Sequence, residues 1–390
     1  MPRYFITLIV SVALFMETMD STIIATSLPA IAADLGEDPI ALKLALTSYL
    51  LSLAVFIPIS GWMADRFGSR TVFRAAIVVF TLGSLACGFA TSLLDFILFR
   101  VVQGIGGAMM VPVGRLVILR SVPKQELISA LAWLTVPALM GPVIGPPLGG
   151  FITTAFDWRW IFWINIPVGL LGIYLASRFI ENFREDRVPP LDLKGFFLSG
   201  IGLAGLAFGF TIIGQPLFPP WVVVSLLAVG VVSCTLYVRH ALSIPAPLLD
   251  LRLLKIDTFF ANIAGGFLFR IGVGATPFLL PLYFQLGFGM NPLQSGLLTF
   301  SIAIGAVAMK TAAAPILRRF GYKHVLVWNA LITSAFIAVC ALFTAATPQA
   351  LILVTLLVGG FFRSLEFTAI NTIASAAIGE HEMSKATSFA

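Results

Sequence analysis

Residues 43–70 read KLALTSYLLSLAVFIPISGWMADRFGSR, an apolar run that ends in a short basic turn around Gly68. The run from 43 to 64 carries no charge after Lys43, and it has the length of about 20 residues that an α-helix needs to cross a bilayer. The strands of a membrane barrel alternate apolar and polar residues, and this run does not. The stretch therefore predicts a membrane-spanning helix that ends in a tight turn.

The whole chain has the composition of this stretch. It contains 390 residues, of which 59% are hydrophobic and 11% are charged, whereas a soluble domain carries about 25% charged residues. A soluble fold of this size has too much surface in contact with water to hide so many apolar side chains. Because helices and closed barrels alone satisfy the backbone inside lipid, the sequence predicts an all-α polytopic membrane protein.

Apolar runs separated by charged or Pro/Gly-rich breaks predict twelve spans in all. Their expected limits are 4–33, 43–64, 71–91, 94–119, 127–155, 160–179, 193–214, 221–241, 259–285, 293–316, 324–345 and 349–377.

The basic residues are distributed unevenly between the two sides of these spans. Of the 24 Lys and Arg residues, 17 lie at the N-terminus or in even-numbered loops, and only Lys43 and Arg159 lie in odd-numbered loops. The positive-inside rule therefore predicts a cytoplasmic N-terminus in a bacterial inner membrane. This distribution explains the net charge of +6 without a nucleic-acid partner. Cys87, Cys234 and Cys340 lie in separate runs, so neither a metal nor another cofactor is predicted.

Two loops have closely similar sequences. Residues 66–70 read RFGSR after span 2, and residues 319–323 read RFGYK after span 10. Internal repeats are the usual construction of secondary transporters, so span 9 is expected to correspond to span 1. The predicted domains are an N-terminal six-helix bundle at 1–185, an inserted helix pair with linkers at 186–256, and a C-terminal bundle at 257–390. This last bundle would have four spans, so about two spans are expected to be missing from the sequence; the alternative is a complete twelve-span protein.

Five segments together suggest a family. They are 20–29 (DSTIIATSLP), 61–70 (GWMADRFGSR), 100–107 (RVVQGIGG), 141–150 (GPVIGPPLGG) and 158–167 (WRWIFWINIP). In this order, they resemble the major facilitator superfamily, and in particular its fourteen-span drug:proton antiporter branch (EmrB/QacA-like). The resemblance implies two helical bundles, here with an inserted helix pair, that rock around a central cavity. Met63, Ser69 and Arg318 depart from the pattern of the family's loop motif.

The loop after span 2 is predicted to act as a conformational latch, an interpretation that the resemblance favours over a plain tight turn. The residues expected to form it are Gly61, Asp65, Arg66, Gly68 and Arg70. The Asp65 carboxylate is expected to meet the positive end of the next helix dipole, which is worth about 0.3–1 kcal/mol. The two glycines would permit close backbone approach and positive φ angles.

Span 5 is unusually rich in proline and glycine. Proline kinks a helix, and glycine lets membrane helices approach closely. The resemblance implies that this antiporter motif seals the two bundles against ion leak, and ordinary helix packing is the alternative. The residues assigned to it are Gly141, Pro142, Gly145, Pro146, Gly149 and Gly150.

Ionisable residues inside spans are costly and are therefore functional candidates. Glu17 and Asp20 lie three residues apart, so they share one face of span 1. Burial and an acidic neighbour both disfavour the ionised form of such a carboxylate, which makes proton exchange at physiological pH possible. Asp20 is the acid expected to exchange the proton, and it could also attract a cationic substrate that competes with the proton. For Glu17 the alternative is a buried, hydrogen-bonded structural carboxyl. Arg100 in span 4 is expected to pair with Asp20 in one conformational state.

A second group of polar residues lies in spans 9 and 12. Arg363 and Glu366 have the spacing of an intrahelical salt bridge. Arg270 is deeper in span 9 and is expected to pair with Glu366, while Asn371 is a further polar candidate. All four residues are assigned to proton coupling or substrate binding.

The predicted function is proton-coupled efflux of small hydrophobic or cationic compounds. The alternative is a facilitator or a proton-symporting importer of a small metabolite on the same fold. The sequence has none of the His-Glu-x-x-His, Gly-x-Ser-x-Gly or Walker motifs, so no enzyme activity is predicted. The expected partners are the lipid bilayer, protons and a small-molecule substrate, and the protein is expected to work as a monomer. Replacing Asp20 with Asn is expected to abolish transport driven by a pH gradient and to leave the protein folded.

Overall fold

The computed structural model describes residues 4–123, 127–186, 188, 190–215, 218–245 and 247–376, and within them it contains helices and no strand. Fifteen α-helices follow one another along this part of the chain. They are α1 (Tyr4–Ile23), α2 (Leu28–Leu35), α3 (Lys43–Phe67), α4 (Ser69–Cys87), α5 (Leu93–Ser121), α6 (Leu127–Ala155), α7 (Trp160–Trp163), α8 (Asn165–Phe179), α9 (Leu193–Thr211), α10 (Pro220–Ser243), α11 (Asp257–Gly274), α12 (Thr276–Leu282), α13 (Pro292–Phe320), α14 (Tyr322–Cys340) and α15 (Gln349–Ala376).

These helices confirm the predicted fold class. Within the described residues, eleven helical segments are long and apolar enough to cross a membrane. The remaining predicted span, 127–155, is a helix with the same limits, α6, although many of its side chains lie outside the description. The largest difference between a predicted span limit and a helix end is in α14, which ends at Cys340, whereas the predicted span ends at 345.

Three of the predicted spans are interrupted, and in the sixth Ile164 separates α7 from α8. In the first, α1 ends at Ile23, a 3₁₀ turn covers Ile24–Thr26, and α2 continues from Leu28. In the ninth, α11 and α12 are followed by a π-helical turn at Tyr283–Gly287. By contrast, α6 is one uninterrupted helix in spite of its prolines. From the sequence, the prolines and glycines were expected to kink span 5, and the breaks in spans 1, 6 and 9 were not predicted.

The two similar loops have the same backbone geometry. Gly68 joins α3 to α4 with φ 94° and ψ 135°, and Gly321 joins α13 to α14 with φ 74° and ψ 152°. Both conformations have a positive φ that favours glycine. In each loop the glycine N–H donates to the carbonyl four residues earlier, Ala64 or Leu317. This shared geometry supports the predicted internal repeat.

The chain divides into two compact units. Unit 1 comprises residues 1–21, 30–141 and 159–251, and unit 2 comprises residues 22–29, 142–158 and 252–390. The core of unit 1 packs α1 and α3–α5 with α8 around fully buried aromatic side chains such as Phe73 and Phe80. In unit 2, smaller apolar clusters form between α13, α14 and α15. The predicted domain limits at 185 and 256 remain predictions.

The predicted inserted pair is a hairpin of α9 and α10 held by small residues. A side chain added at Gly205 would collide with the backbone of Gly230, and one added at Gly202 would meet the Cys234 side chain. Such close contact is how small residues stabilise helix pairs in membranes. The hairpin packs on α3 partly through an edge-to-face contact of Phe196 with Phe56, whose ring centres are 5.6 Å apart.

Asp192 lies at the start of this hairpin and contacts both of its helices. Its carboxylate accepts from the Gly195 N–H at 2.8 Å and lies 2.7 Å from Nε2 of His240. Burial acts to raise the pKa of Asp192, but the hydrogen bonds from His240, Gly195 and the Leu248 N–H outweigh it and lower the pKa. The carboxylate therefore stays ionised and caps α9.

Candidate proton-coupling site

Asp20 lies in the last turn of α1 and is completely buried. Its carboxylate accepts hydrogen bonds from Nη1 of Arg100 at 2.7 Å, from Nε2 of Gln103 at 2.9 Å and from Nδ2 of Asn165 at 2.9 Å. The side chains of Asp20 and Arg100 are both 0% exposed. A buried charge is tolerated in a protein when it is paired and hydrogen-bonded, and the Asp20 carboxylate meets both conditions. Nε and Nη2 of Arg100 are buried and have no hydrogen-bond partner among the described residues.

Arg100 is held in place by aromatic rings as well as by the ion pair. Arg100 lies on α5. The first turn of α5 is capped by Ser92, since the Ser92 Oγ accepts a hydrogen bond from the Asp95 N–H at 3.1 Å. The guanidinium carbon is 4.2 Å from the ring centre of Tyr49, a distance that permits a cation–π interaction. Nη1 of Arg100 also donates to Oε1 of Gln103 at 2.6 Å. Rings and amides thus fix the position of the guanidinium opposite α1.

Asn165, at the first residue of α8, connects Asp20 to α4. Its Nδ2 atom lies 2.9 Å from Oγ of Ser84, and that hydroxyl donates to the Phe162 carbonyl at 2.9 Å. Sequence reasoning quoted Gln103 and Asn165 within motifs but did not assign them to the site. Gln103 and Asn165 could have been identified from the sequence, because uncharged polar residues inside a span also need hydrogen-bonding partners.

Glu17 lies one turn before Asp20 and has a different environment. Its Oε1 atom accepts from the Tyr49 hydroxyl at 3.0 Å, and the residue keeps 8% of its surface exposed. Gly107 on α5 leaves the space for this pair, because a Cβ there would lie 3.1 Å from the Tyr49 hydroxyl and 3.6 Å from Cγ of Glu17. The site therefore combines two acids and one cation, and this arrangement can take up or release a proton.

The second group of predicted residues lies in unit 2 and is arranged differently from the prediction. Glu366 is buried, and its Oε2 accepts from Nδ2 of Asn329 at 2.8 Å. Within the described part of the chain, Glu366 is hydrogen-bonded to this amide and forms neither of the ion pairs expected for it, with Arg363 and with Arg270. The guanidinium of Arg270 is 5.9 Å from the ring centre of Phe367.

The side chain of Asn371 lies outside the described residues. Glu366 faces a mainly apolar cavity of about 620 Å³ between α11, α14 and α15. The roles of Arg270, Arg363, Glu366 and Asn371 in coupling or substrate binding stay predictions.

The loop predicted as a latch carries an ion network. Oδ1 of Asp65 lies 2.9 Å from Nη2 of Arg120, at the end of α5, and the same nitrogen lies 2.8 Å from Oε1 of Glu185. Asp65 therefore pairs with an arginine, whereas the expected contact was with the dipole of the next helix. The segment after α8 crosses this loop, since the Ser69 N–H donates to the Phe183 carbonyl at 2.8 Å.

The glycines and arginines of the loop do not all behave as predicted. A side chain on Gly68 would collide with the Asn182 amide, as expected for a close approach. The prediction for Gly61 is wrong, because its φ is not positive and a Cβ there would meet no atom within 4 Å. Arg66 is exposed, and Nη1 of Arg70 donates to the Ile180 carbonyl at 3.4 Å.

The glycines of α6 pack against the end of the first span. Side chains added at Gly141, Gly145 and Gly149 would collide in turn with Thr18, Thr22 and the Ile23 carbonyl, and one at Gly150 would collide with the Pro292 carbonyl. Pro142 is exposed, and the Pro146 carbonyl lies 3.4 Å from Oγ1 of Thr26. This spacing of four residues gives close helix packing, and the role as an ion seal remains a prediction.

Comparison with known sequences identifies relatives along most of the chain. Residues 10–390 match the sequence profile of the Major Facilitator Superfamily. A protein of Escherichia coli O6:H1 named "Putative multidrug resistance protein MdtD" is 39% identical over 366 residues, which are 94% of this chain and 77% of that protein. A protein of Pectobacterium atrosepticum with the same name is 39% identical over 365 residues, 94% of this chain and 78% of that protein.

Solved structures of transporters share the fold. A D-xylose-proton symporter matches with a TM-score of 0.71 and 15% identity, over 99% of this chain and 85% of that chain. The inward open form of the xylose transporter XylE from E. coli matches with a TM-score of 0.66 and 15% identity, over 99% and 86%. These structural similarities are evidence for the fold alone. The family assignment rests on the sequence profile, which covers nearly the whole chain. The chain is a multi-pass membrane protein and belongs to the Major Facilitator Superfamily of transporters.

Proposed function

We propose that this protein is a proton-coupled exporter that exchanges protons for small hydrophobic or cationic compounds. The observation that carries the proposal is the buried cluster of Asp20, Glu17 and Arg100 on α1 and α5. Acids and an arginine inside membrane spans are costly, and proton relays are one of the functions that use them. The relatives named for multidrug resistance support the choice of substrate class.

The proposal includes the location and the branch of the family. The protein would lie in a bacterial cytoplasmic membrane with its N-terminus in the cytoplasm, as the distribution of Lys and Arg favours. It would belong to the fourteen-span drug:proton antiporter branch, which the α9–α10 hairpin between the two copies of the repeat supports. It would work as a monomer with the bilayer, protons and substrate as its partners.

The network around Asp65 would act as the latch of the conformational cycle. Asp65, Arg120 and Glu185 are each partly exposed, so their ion pairs are worth no more than about 1 kcal/mol each. Contacts of this strength can form and break during a rocking motion without a large barrier.

The test is transport by the purified protein in liposomes with an imposed pH gradient. Ethidium, a planar monovalent organic cation, serves as the probe. We expect ethidium to move against the direction of proton flow, and to stop when an ionophore collapses the gradient. Liposomes without protein provide the control for leakage of the probe.

Two results would contradict antiport. Ethidium and protons that move in the same direction would indicate a symporter. Ethidium transport by the protein that is equally fast without a gradient would indicate a facilitator.

A further inference from the structure

The two acids of the coupling site differ in the number and strength of their hydrogen-bond donors. Asp20 accepts from a guanidinium and from two amides, at 2.7 to 2.9 Å. Among the described residues, Glu17 accepts from one uncharged group, the Tyr49 hydroxyl at 3.0 Å. Donors that hydrogen-bond to a carboxylate stabilise its ionised form, and a charged donor does so most strongly. The environment of Asp20 therefore stabilises its negative charge far more than that of Glu17 does.

The charge balance of the cluster requires one proton. With both acids ionised, Glu17, Asp20 and Arg100 carry a net charge of −1 in a buried site. An uncompensated charge away from water is strongly unfavourable, whereas one added proton makes the cluster neutral. The other titratable groups at the site are Tyr49 on α3 and Cys87 on α4, and both are uncharged at neutral pH. Neither of them can supply the missing positive charge.

The two acids also differ in how completely they are enclosed. Asp20 is 0% exposed, and two helices, α5 and α8, provide its three donors. Glu17 keeps 8% of its surface exposed.

We propose that Glu17 carries the exchanged proton, and that Asp20 stays ionised as the permanent counter-ion of Arg100. The inference rests on the proposed exporter function and specifies its coupling step. In the sealed site the Glu17 carboxylate takes up H⁺ and becomes a neutral acid. When the proton leaves, a monovalent organic cation replaces it as the compensating charge, which gives a competition between one proton and one cation.

The first test needs no substrate. Infrared difference spectra recorded as the pH is raised should show the C=O stretch of a protonated carboxylic acid disappearing in the unmodified protein. We expect this C=O band to shift in frequency in Glu17→Asp and to keep its frequency in Asp20→Glu. Both variants keep two acids and one arginine, so the charge balance of the cluster is unchanged. The matched control is Glu37→Asp, which makes the same change in the loop after α2 and should leave the band unshifted. A band that shifts in Asp20→Glu and not in Glu17→Asp would overturn the assignment.

The second test measures protons released on binding of tetraphenylphosphonium in a weakly buffered solution. The unmodified protein should release about one proton for each cation bound, by linkage of the two equilibria. Glu17→Gln should release none, and Glu17→Asp, which restores a titratable acid, should recover the release. Undiminished release by Glu17→Gln would be evidence against the inference. If the unmodified protein pumps no cation, the exporter proposal fails, while the infrared result still decides which acid holds the proton.

Discussion

At the scale of the residue, the surroundings of Asp20 explain why its charge persists inside a membrane helix. The carboxylate has a guanidinium and two amides as donors, and the arginine opposite it rests on the Tyr49 ring. These groups come from three helices of unit 1: Tyr49 from α3, Arg100 and Gln103 from α5, and Asn165 from α8. Asp20 therefore has a structural role in addition to any role in coupling, because it is the ion-pair partner of a buried arginine.

Replacing Asp20 with Asn is expected to destabilise the protein as well as to stop coupling. Breaking a buried ion pair leaves the other charge uncompensated and costs about 3–5 kcal/mol. From sequence alone the variant was expected to stay folded, because the surroundings of Arg100 were not known. Unfolding in detergent micelles, followed by circular dichroism, measures the change.

The double variant Asp20→Asn/Arg100→Gln provides the control for this prediction. Since it removes the buried charge together with its partner, it should be more stable than Asp20→Asn alone. An Asp20→Asn variant with unchanged stability would argue against a structural ion pair at this position.

At the scale of the element, glycine determines which helices come into contact. In unit 2, a side chain on Gly305 of α13 would collide with the Leu357 carbonyl of α15, and one on Gly360 would collide with the Ile302 carbonyl. The two backbones are therefore in direct contact. Close approach of this kind replaces the hydrophobic effect, which lipid does not supply between membrane helices.

Replacing Gly305 with Ala is expected to weaken the packing of α13 on α15. Overpacking of this kind costs about 1–3 kcal/mol, although alanine itself favours a helix over glycine by about 1 kcal/mol. The matched control is Gly272→Ala in α11, where a Cβ would meet no atom within 4 Å. Thermal unfolding in micelles should therefore show a loss for the first variant and none for the second. Equal stability of the two variants would contradict the close contact.

At the scale of the whole molecule, the distribution of charge predicts how the helices are oriented in the membrane. Arg66 and Arg70 flank the turn between α3 and α4, and Arg318, Arg319 and Lys323 flank the turn between α13 and α14. The positive-inside rule predicts that both turns face the cytoplasm.

Labelling of single cysteines in whole cells tests this orientation. In a background without Cys87, Cys234 and Cys340, Asp38→Cys should react with a membrane-impermeant maleimide in intact cells. Arg184→Cys should react after the cells are permeabilised and not before, since both positions are exposed on the protein and differ in the predicted side of the membrane. The background protein without cysteines should remain unlabelled. The opposite pattern would place the N-terminus outside the cytoplasm.

Much of the architecture follows from local patterns of sequence. Apolar runs set the helix limits, which for 127–155 and 160–179 agree with the structure to the residue. The RFG sequence predicted a glycine turn because positive φ is a local property of the backbone. Glu17, Asp20 and Arg100 could be identified as candidate site residues from the sequence, because a charge inside a span is unusual whatever surrounds it.

Composition and periodicity are enough to establish that the chain is helical, that it crosses a membrane many times and that Glu17, Asp20 and Arg100 are exceptional, because they carry this information residue by residue. The packing of the helices was needed to find that Asp20 receives three donors while Glu17 receives one. It was also needed to find that Asn329 and not an arginine contacts Glu366, and that Gly61 has open space around it. These contacts join residues from 32 to 145 positions apart in the chain. Such partners depend on how the helices pack, and no local pattern of sequence contains that packing.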